Sequence, residues 1–125
     1  MPRTVVYFYA EPDGSCPVLD WLTELEQQNP KAVDACMARV RLLAVMGHEL
    51  RRPHADMLRD GIYELRARVG RVNYRLLYFF HGRAIAIVAH GMTKEREVPE
   101  ADIHRALERK HRYEQDPQAH QQKIA

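Results

Sequence analysis

The spacing of apolar residues divides the first part of the chain into one strand and two helices. Residues 4–9 (TVVYFY) combine β-branched and aromatic side chains, which is typical of a strand. After a turn-forming segment, Pro17 opens a helix with apolar residues three or four positions apart, at Val18, Leu19, Leu22 and Leu25. Asn29-Pro30 predicts a second helix that ends at Gly47, with an apolar stripe of Val33, Cys36, Met37, Val40 and Leu43.

The second half alternates strand-like runs with short loops and ends in a helix. Residues 48–60 are charged and aperiodic, which predicts a loop with a short helical turn. Three strands follow at 62–69, 72–80 and 83–90, and two-residue links between them indicate an antiparallel meander. Pro99 opens the last helix, and the polar residues after Tyr113 predict a flexible tail at 114–125.

These elements predict one α+β domain over residues 1–113: a small antiparallel sheet with a mixed edge, two N-terminal helices on one face and a C-terminal helix. The 125 residues suffice for one core, and 46% hydrophobic with 29% charged residues is ordinary globular composition. The longest apolar runs are far shorter than the roughly 20 residues of a membrane span. With no secretion signal expected and only Cys16 and Cys36 as cysteines, the sequence predicts a cytoplasmic protein without a disulfide framework.

Charge is concentrated in the middle of the chain. Residues 62–98 contain 7 Lys/Arg and 3 Asp/Glu, a net charge of +4, whereas residues 1–61 have 7 and 9 and residues 99–125 have 5 and 5. Such a segment can bind a phosphate backbone or an acidic protein partner. The alternative is that these arginines form a solvated strand face.

Two-residue hairpin loops fix a register, which predicts the side chains that share a sheet face. The first hairpin places Arg66 opposite Arg75, and the second places His90 opposite Asn73. One face therefore collects Glu64, Arg66, Arg68, Asn73, Arg75 and His90. The other face, predicted to form the core, collects Tyr63, Leu65, Val69, Val72, Tyr74, Leu76, Tyr78, Ile85 and Ile87.

The polar face has two interpretations. In the first, like charges opposite each other repel, and Glu64 serves only to relieve the repulsion between Arg66 and Arg75. In the second, the guanidiniums of Arg66, Arg68 and Arg75, together with Asn73, bind phosphate oxygens through forked hydrogen bonds. His90 is the one member of this group that exchanges a proton near neutral pH, and Lys94 can add a cation from the following turn.

Other kinds of site find little support in the sequence. The glycines form separate turns rather than a nucleotide-binding loop. No carboxylate pair lies on the predicted polar face, so a two-metal nuclease is not expected. His104 and His111 lack a third ligand and are interpreted as surface residues, so the sequence predicts no metal site and no cofactor.

The region GIYELRARVGRVNYRLLYFFHGRAIAIVAHGMTKEREVPEADIHRALERKHRY closely resembles the RelE/ParE superfamily of bacterial toxins, and in particular its HigB-like, phage-related branch. The shared pattern is a strand with ELR, a strand with YR before apolar residues, and a strand ending in HG. A lysine-containing turn, a proline and a helix ending near R-x-Y follow. The resemblance extends over residues 3–113 and is most specific over 62–113.

The resemblance implies the toxin of a type II toxin–antitoxin pair, neutralised by a helix-turn-helix antitoxin. Many relatives cleave mRNA on the ribosome without a metal or other cofactor. By position, Arg66 and Arg68 would bind phosphate, Arg75 would stabilise the transition state, His90 would act as an acid or base, and Lys94 would be an auxiliary cation. Glu95 departs from the family, where a second lysine is frequent, as does Val98, where a Ser or Thr helix cap is common.

Two other functions remain open from sequence. The ParE branch shares the fold but binds DNA gyrase and cleaves no RNA, and an inactive phage-derived relic would lack toxicity. For the nuclease, Tyr113 is a distant candidate for the second proton-transfer group. A homo-oligomer is also possible.

Apolar residues on the same polar face of the sheet must be shielded from solvent by another segment. The prediction assigns Leu77, Phe79, Ala86 and Val88 to this face. Their cover is either the last helix, through Ile103 and Leu107, or a bound antitoxin segment. An acidic, amphipathic antitoxin segment is expected to dock on the basic end of the face.

Overall fold

A computed structural model describes residues 3–93 and 97–124 of the chain. Three α-helices and six strands follow one another in the order β1 (Val5–Tyr9), α1 (Pro17–Gln28), α2 (Pro30–Met46), β2 (Ala55–Arg59), β3 (Ile62–Val69), β4 (Val72–His81), β5 (Ile85–Thr93), α3 (Glu100–Gln115) and β6 (Gln121–Lys123). Short 3₁₀ turns at Gly47–Glu49 and Pro117–His120 precede β2 and β6.

All six strands form one mixed sheet in the order β2-β3-β4-β5-β1-β6. Strand β1 runs parallel to β5, and the other neighbouring pairs are antiparallel. The predicted α+β class, with an antiparallel meander and a mixed edge, is confirmed. No helix within the described ranges is long and apolar enough to cross a membrane.

Helices α1 and α2 pack on one face of the sheet and bury most of the apolar stripes that the sequence predicted; the prediction is wrong for Leu19, which is 46% exposed. The core there includes Val18, Leu22, Leu25, Cys36, Val40, Leu43, Leu65, Tyr74, Leu76, Tyr78, Ala86 and Val88. Gly47 ends α2 with φ of +53°, and a Cβ there would lie 2.2 Å from Thr4 Oγ1. The glycine therefore lets the chain turn where β1 passes close to the end of α2.

Helix α3 packs on the opposite face. The second core consists of Tyr9, Ile62, Leu77, Phe79, Ile87, Ala89, Ala106 and Tyr113, with Leu107 packed against it. The intramolecular cover predicted for Leu77 and Phe79 is thus confirmed. Four other assignments are wrong: Ala86 and Val88 lie under α1 and α2, whereas Ile85 and Ile87 pack on the α3 side. Val72, predicted to lie in the core, is 38% exposed at the start of β4.

The register of the second hairpin explains these corrections. His81 pairs with Ile85, so the β4–β5 loop has three residues (82–84) instead of two. A β-bulge follows, because Tyr78 pairs with Val88 but Leu77 pairs with His90. The prediction that His90 faces Asn73 is therefore wrong.

Two strands were not predicted. Residues 48–60, expected as a loop, contain β2, which pairs with β3 across a bulge. The segment 114–125, expected as a flexible tail, continues α3 to Gln115 and then supplies β6, which pairs with β1. His120 holds the segment in place, since its Nδ1 lies 2.8 Å from the carbonyl oxygen of Ala10 and its ring stacks on Tyr9.

Candidate functional site

The hairpin of β3 and β4 carries most of the predicted polar face. Its register is the predicted one, with Arg66 opposite Arg75 and Arg68 opposite Asn73. Gly70 adopts φ of +61° in the connecting turn, which glycine accommodates without strain. The two-residue loop was therefore a reliable guide to the cross-strand neighbours.

Glu64 lies between the two arginines that face each other. Its side chain is 1% exposed, and its Oε1 accepts hydrogen bonds from Arg66 Nε and Arg75 Nη1, both at 2.7 Å. The carboxylate offsets the repulsion between these guanidiniums, as the first interpretation of the face expected. Arg66 and Arg75, hereafter the arginine pair, are thus held side by side by one oxygen.

A second carboxylate reaches the outer member of the pair. Asp56 Oδ2 on β2 lies 3.5 Å from Arg66 Nη2 and also accepts hydrogen bonds from Arg52. The hydrogen bond from Arg52 is the main cause that lowers the pKa of Asp56. Because Arg52 is largely exposed, its ion pair contributes little to stability.

The arginine pair lines a cleft between the sheet and the beginning of α3. This cleft has a volume of about 290 Å³ and is lined by Leu58, Arg59, Glu64, Arg66, Arg75, Glu97, Val98, Glu100 and Ile103. A slightly smaller pocket of about 250 Å³ on the hairpin side is lined by Asn73 together with the same two arginines. The structure therefore brings Arg66, Asn73 and Arg75 together at the surface.

Arg68 and Lys94 are not shown to be part of this cleft. Arg68 is exposed, and its Nε donates to the carbonyl oxygen of Gly70, 3.0 Å away in the turn of its own hairpin. Lys94 lies outside the described residues. Their predicted roles stay predictions.

His90 lies on the same sheet face but contacts helix α3. Its Nε2 is 2.7 Å from Asp102 Oδ1, and its Nδ1 is 3.4 Å from Arg109 Nη1. Arginine only donates, so Nδ1 accepts and Nε2 carries the proton that is donated to Asp102. Burial lowers the pKa of His90, and the hydrogen bond that it donates to Asp102 opposes this effect. His90 is accordingly neutral near pH 7.

Tyr113, the distant candidate for a second proton transfer, is a core residue. It is 0% exposed, and its hydroxyl donates to Gln121 Oε1 at 2.6 Å. Burial raises the pKa of Tyr113 to about 12. The side chain thus fastens β6 to α3, and its candidate role in proton transfer is wrong.

Within residues 3–93 and 97–124, no three His, Cys, Asp or Glu side chains are grouped so that they could hold a metal ion. His104 lies 3.5 Å from Glu100, one turn earlier on α3, and both are exposed. His111 contacts Gln115 in the same way. Both histidines are surface residues, as the sequence indicated.

The family model of Phage derived protein Gp49-like (DUF891) matches residues 20–111 of the chain. The chain belongs to this family. Gp49-like proteins are part of the RelE/ParE-like toxin superfamily, so that part of the predicted resemblance is confirmed, while the HigB-like branch stays a prediction. No curated protein matches the chain.

The Gp49-like match spans the arginine pair, Glu64 and the contacts of His90 with α3. Three partners in this site were not predicted. Asp102 and Arg109 are two of them, although Ile103 and Ala106 mark the face of α3 that meets the sheet. Asp56 was missed because β2 itself was not predicted.

Proposed function

We propose that this Gp49-like protein is the toxin of a type II toxin–antitoxin pair, of the HigB-like kind, and that it cleaves mRNA on the ribosome without a metal. The observation that carries the proposal is the arginine pair, fixed by a buried carboxylate at the edge of an open cleft. Two adjacent guanidiniums bind a phosphate through several charge-assisted hydrogen bonds. Membership of the RelE/ParE-like superfamily supports RNA as the substrate of this arrangement.

RNA supplies its own nucleophile, the 2′-hydroxyl group. A base removes its proton, the oxygen forms a bond to the adjacent phosphorus, and the bond from phosphorus to the 5′-oxygen breaks. An acid protonates the departing oxygen, which leaves a 2′,3′-cyclic phosphate and a 5′-hydroxyl end. Negative charge accumulates on the phosphoryl oxygens in between, and Arg75 with Arg66 is placed to stabilise it, with Asn73 beside them.

His90 is the proposed base, working as a dyad with Asp102. The carboxylate holds the imidazole with Nε2 protonated, which leaves the lone pair on Nδ1. A base must be neutral to accept a proton, and the lowered pKa of His90 satisfies this near neutral pH. Nδ1 must give up its long contact to Arg109 for the 2′-hydroxyl to approach.

The test is cleavage mapping by primer extension in cells that express the protein, together with purified protein and a programmed ribosome. Arg75→Ala is expected to lower cleavage by about 10²–10³-fold, because it removes a transition-state donor. Arg83→Ala is the matched control, since Arg83 lies in the exposed β4–β5 loop at the other end of β4. Growth arrest without new RNA ends would refute the nuclease proposal.

A second candidate function is inhibition of a protein target, as in the gyrase-binding ParE branch. The observation that favours it is that both ring nitrogens of His90 are engaged by α3 and both arginines of the pair contact a carboxylate. A protein-binding toxin would stay toxic as His90→Ala, whereas the nuclease would lose its activity. Absence of growth arrest in the wild type would instead support the inactive relic.

A helix-turn-helix antitoxin is the proposed partner. Its acidic, amphipathic segment would mask the arginine pair, and long-range attraction would accelerate association. The association rate is then expected to fall with rising salt while the dissociation rate changes little. An association rate that is independent of ionic strength would exclude this face as the docking surface.

A further inference from the structure

We infer that Glu64 is a positioning residue for phosphate recognition: its carboxylate fixes both guanidiniums of the arginine pair toward one phosphodiester group. The inference rests on the proposed function, since it assigns how the same cleft holds its substrate. Glu64 itself would touch no reacting atom.

Burial makes the position of this carboxylate rigid. Glu64 lies in the middle of β3, opposite Leu77 on β4, and its side chain is 1% exposed. The side chains of Arg75 and Arg66 are 14% and 38% exposed, so the guanidiniums lie between the buried oxygen and the solvent. Each guanidinium has five N–H donors, and the contact with Glu64 uses one from each. The remaining donors include those that border the cleft.

The charge of the cluster supports a positioning role over simple attraction. The arginine pair and Glu64 alone sum to a net charge of +1, and Asp56, 3.5 Å from Arg66, lowers the local positive charge further. A surface selected only for attraction would gain from losing the central carboxylate, because affinity for nucleic acid follows positive charge. Without Glu64, however, the facing guanidiniums repel and separate. The carboxylate therefore lowers raw attraction but fixes geometry.

This reasoning predicts opposite effects of Glu64→Gln on binding and turnover. KM for a ribosome-bound or model RNA is expected to stay equal or to fall by up to about 3-fold, since a negative charge near the phosphate is removed. The turnover number kcat is expected to fall by about 100-fold, because displacing substrate-positioning groups by about 1 Å has effects of that size. A role in folding alone would not divide KM and kcat in this way.

Two matched variants sharpen the test. Glu24→Gln removes the same charge from an exposed position on α1, on the other side of the sheet, and is expected to leave kcat unchanged. Glu64→Asp keeps the charge but withdraws the carboxylate by one methylene, so kcat is again expected to fall. If either folded Glu64 variant keeps the wild-type kcat, the inference is overturned. Thermal melts identify variants that are folded at the assay temperature.

The wild-type protein provides a test that needs no variant. An NMR titration with an RNA oligonucleotide that carries 2′-O-methyl groups, and so cannot be cleaved, is expected to shift the Arg66 and Arg75 side-chain signals. Arg66 Nε–H should stay protected from exchange if Glu64 keeps its contact in the complex. Faster exchange on binding would overturn the inference. A wild type that binds this RNA but cleaves no RNA would refute the proposed nuclease while leaving the positioning role intact.

Discussion

Replacing Gly91 by alanine is expected to destabilise the fold beside the candidate site. Gly91 follows His90 on β5 and faces α1, where a Cβ would lie 2.4 Å from Trp21 Cε3 and 2.8 Å from both Cδ2 and Cζ3. Carbon atoms in contact prefer about 3.5–4.0 Å, so the indole or the whole helix must move by about 1 Å. Overpacking of this kind costs about 1–3 kcal/mol. The glycine is therefore needed for the close approach of the ring.

A destabilisation near the middle of this range gives a measurable shift in melting temperature. With an unfolding entropy of about 2.1 cal/mol/K per residue, about 2 kcal/mol lowers the Tm of the 125-residue chain by about 8 °C. Circular dichroism gives the melt, and Trp21, the single tryptophan, reports the altered contact by fluorescence.

A double-mutant cycle separates this clash from a general intolerance of β5. In the Trp21→Leu background the smaller side chain leaves room, so Gly91→Ala is expected to cost much less than in the wild type. An equal cost in both backgrounds, or a Tm within about 2 °C of the wild type for the single variant, would show that the ring does not set the requirement for glycine.

Three further predictions concern α3 and the C-terminal segment. Asp102→Asn removes the carboxylate charge that raises the pKa of His90, so the acidic limb of the pH–rate profile should move to lower pH; an unmoved limb would mean that His90 is not the titrating base. Tyr113→Phe removes the hydrogen bond to Gln121 and should destabilise by about 1 kcal/mol in chemical denaturation, and an unchanged midpoint would contradict that contact. Deleting residues 117–125 removes β6 and should lower the free energy of unfolding by about 2 kcal/mol or more in the same assay. An unchanged free energy of unfolding would instead support the flexible tail expected from the sequence.

Local rules were sufficient for the first hairpin. The link between β3 and β4 has two residues and contains a glycine with positive φ, so it fixed the register that places Arg66 opposite Arg75. The helices α1 and α2 could be predicted equally well, because the proline at the start of each and the spacing of their apolar residues are features of the sequence itself. In these elements most local signals agree with the tertiary packing; Leu19 and Val72, apolar but exposed, are exceptions.

The second hairpin shows where alternation fails. One extra loop residue moves Ala86 and Val88 to the face opposite the predicted one, because side chains alternate with a period of two. The bulge near Ala89 then adds another residue and reverses the alternation again. His90 consequently returns to the predicted face, but opposite Leu77 instead of Asn73. No turn residue in the sequence marks this bulge.

Acidic groups from elsewhere in the chain pair with side chains of the basic segment, residues 62–98. Asp56 comes from a strand that the sequence did not reveal, and Asp102 comes from a helix whose orientation depends on packing. A linear count of charges therefore overstates the positive field at the arginine pair. Contacts between strands or between a strand and a helix depend on the tertiary structure. Only the contact of Glu64 with the arginine pair could be predicted from the register of the hairpin.

The cleft owes its shape to helix α3 as much as to the arginines. Glu100 on the first turn of α3 pairs with Arg59 of β2, with Oε2 and Nη2 2.5 Å apart, and Val98 and Ile103 line the same wall. Glu100 is exposed and Arg59 is partly buried, and an ion pair this open to solvent contributes little to stability. Its contact nevertheless joins the start of α3 to an edge strand, while Asp102 joins the next residues of the helix to His90 on β5. The same helix thus borders the cleft over the arginine pair, the proposed phosphate-binding group, and holds the tautomer of the proposed base, so both halves of the proposed chemistry depend on one element.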